Sequence, residues 1–189
     1  PEAWPQTNYR AQLIPSGPFV GGDCIQQSLL LAIYQARSHL VLTTPYFVPD
    51  DPLAAALSSA AARGVQVQLV LPARNDSIMA NYACNAFMEE LLAAGVEIYR
   101  YDAGLLHTKS VLVDDDFALV GTVNLDRRSL WLNFEVTLLV DNPSFVAQMT
   151  RLVQGYMAEA TPMTLAQWQA RPWYKKAMEN IFYLFSPLL

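Results

Sequence analysis

A regular alternation of short aliphatic runs and capped amphipathic stretches over residues 23–101 restricts the fold more than any other feature. Asp23 can open a helix whose apolar positions Ile25, Leu29, Ile33 and Ala36 share one face. His39 to Thr44 reads as a buried strand. Asp51 as N-cap and Pro52 at the first helical position predict an Ala-rich helix that Gly64 ends. Val65 to Leu71 is β-branched and aliphatic, hence a strand. Asp76 or Ser77 starts a further helix to Ala94, stopped by Gly95, and Val96 to Tyr101 is the next strand. Such alternation predicts an α/β fold: right-handed βαβ units in a mixed, largely parallel sheet with helices on both faces. Around this unit lie a short strand at Arg10–Pro15, a hairpin of strands 109–113 and 117–121 turned by Asp114-Asp115-Asp116, and a strand over 134–140. Asn142 and Pro143 open a helix to about Met157.

The 189 residues fit one domain, with 1–9 as a linker and 164–189 as an aromatic helical tail. Hydrophobic residues make up 53% and charged residues 15%, a globular rather than a disordered balance. The net charge of −5 disfavours general binding of nucleic acid, so an anionic substrate must be held by local cations. Cys24 and Cys84 lie far apart without a CxxC pattern and read as packed thiols. With two histidines and no Cys/His cluster, no metal site and no cofactor are expected. No apolar run is long enough to span a membrane. The chain opens on Pro1 and is expected to be a piece of a longer precursor.

The chemistry concentrates between Leu106 and Glu135. His107 and Lys109 are two apart, so on an extended segment they share a face. A histidine beside a fixed positive charge suits attack on phosphorus, where charge spreads over the non-bridging oxygens. Asn124 can donate an amide hydrogen bond to those oxygens, and Glu135 can hold a histidine in its reactive tautomer. Asp114, about 16 Å along the strand from Lys109, reads as a turn residue more than as a chemical group. The full pattern H-x-K-x4-D-x6-G-x2-N would match by chance on the order of once per million start points.

This pattern, His107, Lys109, Asp114, Gly121 and Asn124, resembles the signature of the phospholipase D superfamily. Within it the chain is most similar to the C-terminal half of bacterial cardiolipin synthases. The closer likeness rests on Thr44-Pro45-Tyr46-Phe47-Val48-Pro49, on Asn124-Leu125-Asp126-Arg127-Arg128-Ser129-Leu130, on Asn133-Phe134-Glu135 and on the final Leu184-Phe185-Ser186-Pro187-Leu188-Leu189. That family uses two H-x-K motifs per active site, and this chain has one. His39 is followed by Leu40-Val41 and does not supply the second.

The resemblance implies a phosphatidyltransferase that makes cardiolipin from two phosphatidylglycerols through a phosphohistidine. It would act at the bacterial inner membrane, with a homologous N-terminal half or a second copy of the chain supplying the other motif. It makes His107, Lys109, Asp114, Asn124 and Glu135 the catalytic set. Tyr46 and Phe47 are expected to line the substrate entrance, and Arg127 and Arg128 to meet headgroup phosphate. Two alternatives stand beside it: a homodimeric single-motif phosphodiesterase or nuclease, and a lipid-docking half inert without its partner. The tail, with Trp168, Trp173, Tyr174, Lys175, Lys176, Phe182, Tyr183 and Phe185, reads as a helix docked by its aromatic face, or as a membrane-surface helix.

Overall fold

A computed structural model of the chain describes residues 10–19, 23–75, 78–174 and 178–179. The expected linker 1–9, the helix start at Asp76 or Ser77 and most of the tail beyond Tyr174 lie outside the described residues.

The strands β1 (Arg10–Ser16), β2 (His39–Thr43), β4 (Gln66–Pro72), β5 (Glu97–Tyr101), β6 (Ser110–Val113), β7 (Phe117–Gly121), β9 (Glu135–Asp141) and β10 (Ala160–Met163) form one sheet. Its order is β1-β9-β7-β6-β2-β4-β5-β10. A separate parallel pair joins β3 (Phe47–Val48) to β8 (Leu125–Asp126). The helices are α1 (Cys24–Gln35), α2 (Asp51–Ala62), α3 (Ile78–Ala93), α4 (Arg127–Trp131), α5 (Pro143–Ala158) and α6 (Leu165–Gln169).

The expected α/β architecture is present, but its parallel part is narrower than the alternation suggested. Parallel pairing joins β2 to β4 and β4 to β5, the strands linked through α2 and α3. The pairs β2–β6, β6–β7, β7–β9, β9–β1 and β5–β10 are antiparallel. A tight turn joins β6 to β7 and can only reverse direction, and β9, β1 and β10 also pair antiparallel with their neighbours.

Alternate residues of the strands feed two cores, because side chains on a strand point to opposite faces. Leu40, Leu42, Leu69, Ile98, Val111 and Leu119 pack with Ile25, Leu29 and Ile33 of α1, Leu53 and Leu57 of α2, and Met88 and Leu91 of α3. Val70, Leu112 and Ala118 face Val146 and Val153 of α5. Each such buried aliphatic side chain contributes about 1.5–3 kcal/mol. Cys84 is buried and Cys24 half-buried, and both are free thiols.

Local signals account for most boundaries. Gly64 (φ +88°) and Gly95 (φ +97°) take the left-handed backbone that ends α2 and α3. Asn142 caps α5 by accepting from the N–H of Phe145 at 3.0 Å. One cap differs from the expectation: Asp50, not Asp51, caps α2. It accepts from the N–H of Leu53 through Oδ1 (3.1 Å) and from Gln26 Nε2 through Oδ2. Asp50 is extended (ψ 167°), as a cap must be, while Asp51 is already in the first helical turn. In the tail, Thr164 and Gln167 form a capping box for α6, and Trp168 docks in the core. Arg171 lies over the Trp168 ring and makes two bonds to the buried Glu179, at 2.6 and 3.0 Å. Docking therefore holds for Trp168, whereas Trp173 and Tyr174 stand exposed.

Candidate active site

The parallel strands β2, β4 and β5 all end on one side of the sheet, and the loop that carries the motif histidine returns to that side. Residues just past these ends, Pro45 and Tyr46, Pro72, Arg74 and Asn75, and Gly104 to His107, line an open cavity of about 500 Å³. A crevice outside the carboxyl ends of parallel strands is the usual ligand position in α/β sheets. His107 is exposed in its wall.

Residues 107–109 lead directly into β6, with His107 in the wall of the large cavity and Lys109 in that of a smaller one. The Thr108 hydroxyl lies 3.0 Å from that of Tyr156 on α5. Lys109 Nζ donates to the carbonyl oxygen of His107 at 2.9 Å, which ties the two motif residues together. Burial, only partly offset by the negative charges of Glu135 and Asp126, holds the Lys109 ammonium below the ordinary lysine pKa.

Asn124 Nδ2 donates to Ser129 Oγ at 3.2 Å, and the amide also bonds Asp126. Asp126 caps α4 by accepting from the N–H of Ser129 at 2.7 Å. Burial raises the Asp126 carboxyl pKa, and hydrogen bonds from Ser129 and Asn124 offset this only in part. Glu135 accepts from Asn133 Nδ2 at 3.1 Å and faces Lys109. Among the described residues no bond joins Glu135 to His107. The structure thus gathers Asn124, Asp126, Ser129 and Glu135 near Lys109, whose ammonium reaches the backbone carbonyl of His107.

Four expected site residues lie in neither the cavity wall nor this cluster. Asp114 stands at the opposite end of β6 from Lys109 and is not part of the site. It adopts a left-handed backbone (φ 49°) that Asp tolerates well. Its carboxylate accepts from the backbone N–H groups of Arg37 (3.1 Å), Ser38 (2.8 Å) and His39 (2.8 Å). The motif aspartate therefore locks the hairpin to the start of β2. Burial would raise its pKa, but the three N–H groups win and hold it below the usual aspartate range. Its stabilising effect is present above the unfolded pKa and is lost as pH falls through the lower folded one. We expect Asp114→Ala to lower stability by about 1–2 kcal/mol, or about 2–8 °C in Tm, without changing activity per folded molecule. Thermal melts at neutral pH and below pH 4 check this, since the variant should lose less stability on acidification than the parent.

Phe47 is the second correction. It is 1% exposed and packs edge-on against Phe87, so Tyr46 lines the cavity and Phe47 belongs to the core. Neighbours on an extended segment point to opposite sides, and β3 pairing with β8 sends Phe47 inward. The same contact joins two distant stretches, as Thr44 Oγ1 accepts from the N–H of Leu125 at 3.3 Å. Third, Arg127 pairs with Asp51 at 3.6 Å, bracing α4 against α2. Arg128, the fourth, is exposed and is not among the cavity-lining residues.

Sequence reasoning missed Asp126 and Ser129, although an Asp three residues before a Ser is a helix-cap signal. It also missed Arg74, Asn75 and the 104–106 wall, which carry no local signature.

A family model described as "Cardiolipin synthase, PLD-like domain" matches residues 29–157. Cardiolipin synthase A of Pectobacterium carotovorum subsp. carotovorum (strain PC1) is 50% identical over 184 residues, 97% of this chain and 38% of that protein. Cardiolipin synthase A of Wigglesworthia glossinidia brevipalpis is 51% identical over 182 residues, 96% and 37% respectively. The chain thus spans well under half the length of these relatives. Two solved structures share the fold at low identity. Phosphatidylserine synthase of Haemophilus influenzae Rd KW20 gives a TM-score of 0.77 at 18% identity, covering 96% of this chain and 48% of that one. The phospholipase D family member Nuc of Salmonella typhimurium gives 0.71 at 19%, covering 82% and 99%. With the motif at the mouth of the cavity and the matched model spanning most of the sheet, the chain belongs to the phospholipase D-like domain family of cardiolipin synthases.

Proposed function

We propose that this chain is one catalytic half of a phosphatidyltransferase that makes cardiolipin from two phosphatidylglycerols. The observation that carries the reading is His107, exposed in a cavity at the strand ends and tied through its own carbonyl to Lys109. One imidazole nitrogen, from His107 or from the histidine of a homologous half, bonds to phosphorus as the P–O bond to glycerol breaks. The facing histidine protonates the departing glycerol. The hydroxyl of a second phosphatidylglycerol then forms a P–O bond as the P–N bond breaks, and its proton passes to the facing histidine. Lys109 offsets the charge on the non-bridging oxygens. Asn124, already tied to Ser129 and Asp126, is a positioning residue, and Glu135 sets the charge at Lys109.

The second H-x-K motif comes from a further part of a longer protein, a reading supported by relatives of which this chain spans 37–38%, or from a second copy. We place the site on the cytoplasmic face of the bacterial inner membrane. The exposed Trp173 and Tyr174 support a surface contact with lipid. Among the described residues no helix is long and apolar enough to cross a membrane.

The test uses the full-length protein with phosphatidylglycerol labelled in its terminal glycerol. One glycerol should leave per cardiolipin formed, with an acid-labile phosphoryl group trapped on histidine during turnover. Glycerol release with phosphatidic acid as the sole lipid product would make the protein a hydrolase and defeat the proposal.

A further inference from the structure

We propose that Arg74 holds the phosphate of the acceptor, a second phosphodiester-bearing alcohol, and so determines which alcohol the enzyme uses. This rests on the phosphatidyl transfer proposed above. Arg74 lies two residues past β4 and lines the same cavity as His107, on a separate loop.

The loop is held firmly. The N–H of Ala73 donates to the carbonyl of Tyr101 at 2.7 Å, and Arg100 Nη1 donates to that of Pro72 at 3.2 Å. Asn75 Nδ2 donates to the carbonyl of Pro45 at 3.1 Å. These bonds stitch the ends of β2, β4 and β5 together, so the exposed Arg74 side chain rises from a backbone fixed on both sides.

Arg74 is the side chain in the cavity wall that is cationic at every working pH. Lys109 lines a different, much smaller pocket between the motif strands and α1. In a chain of net charge −5, a guanidinium in this wall marks where a second anion belongs. Its planar fork matches two oxygens of a phosphate. The rest of the wall, Pro45, Pro72, Leu105 and Leu106, is apolar and suits the carbon skeleton joined to that phosphate. In the transfer step the acceptor hydroxyl oxygen bonds to phosphorus while the P–N bond to histidine breaks. Arg74 takes no part in the bond changes. It holds the acceptor by its other end, and water or a neutral alcohol lacks that handle.

The experiment compares full-length wild type, Arg74→Ala and Arg74→Lys on phosphatidylglycerol vesicles with ethanol as a competing neutral acceptor. The ratio of cardiolipin to phosphatidylethanol should fall about 10- to 100-fold in Arg74→Ala, the loss of one charge-assisted contact, and recover partly in Arg74→Lys. An unchanged ratio overturns the proposal, whatever happens to total turnover. Calorimetry with soluble glycerophosphoglycerol, which has no acyl chains, provides a second readout. Its binding should weaken at least about tenfold in Arg74→Ala. Equal affinities overturn the assignment. This arm reads Arg74 even if the wild type makes neither lipid product, a result that would sink the transfer reading by itself.

Discussion

Replacing His107 by Ala in the full-length protein should reduce cardiolipin formation by at least about 10³-fold, because the site loses either its nucleophile or its general acid. The folded state should hardly change. The imidazole is exposed, and Lys109 bonds the backbone carbonyl at this position rather than the ring. A surface truncation of this kind shifts stability by no more than about 0.5 kcal/mol. Activity and Tm therefore separate, which a structural histidine would not allow. A substrate with a p-nitrophenol leaving group sorts the two chemical roles. If His107 is the acid, the easier leaving group restores much of the rate. If it is the nucleophile, the variant stays inactive. Wild-type-like turnover of phosphatidylglycerol would remove His107 from the mechanism.

The second large effect is structural. Gly121→Ala should destabilise the domain by about 3 kcal/mol, at the upper end of the range for overpacking. A Cβ at Gly121 would meet the carbonyl oxygen of Val136, sit 2.7 Å from the Cα of Thr137 and 3.0 Å from its hydroxyl. The first two are backbone atoms of β9, to which β7 is paired at Gly121↔Thr137. They can give way only if the strands part, which also moves Asn124 and the cluster that follows. The expected fall in Tm is about 6–12 °C for a domain of this size. Gly155→Ala is the control: that glycine lies inside α5 with nothing near its Cβ position. It should stabilise by about 0.5–1 kcal/mol. An unchanged Tm in Gly121→Ala would disprove the close approach of β7 and β9. The glycine of the motif thus has a packing reason, quite apart from phosphate chemistry.

Much of this was legible beforehand because it is local. Helix ends at Gly64 and Gly95, the cap at Asn142 and the strands β2, β4, β5, β6 and β7 follow from periodicity and backbone preference, which neighbours in sequence carry in full, whereas β3 lies in a stretch expected to be a loop. Asp114 was assigned to the turn because a strand has a fixed rise per residue, and the structure shows what it does there: it holds three N–H groups from a segment 75–77 residues away. Less was legible where pairing between distant strands decided the outcome. Ala160 to Met163 has no strand signature, and Pro162 is tolerated only because β10 is an edge strand against β5. The parallel character was overestimated because, within the main sheet, only β2, β4 and β5 pair in parallel, while the strands placed around them pair antiparallel.

By itself, the sequence determined the α/β class, the motif with its histidine and neighbouring lysine, and a chain expected to need a second motif. These depend on residue types and on spacings of a few positions. Only the tertiary structure decided that Tyr46 faces the cavity while Phe47 is buried. It alone showed that Asp126 and Ser129 join Lys109, and that Arg74 shares a wall with His107. Those relations join segments tens of residues apart. They are set by how strands pair and helices pack, because no spacing along the chain fixes a distance across it.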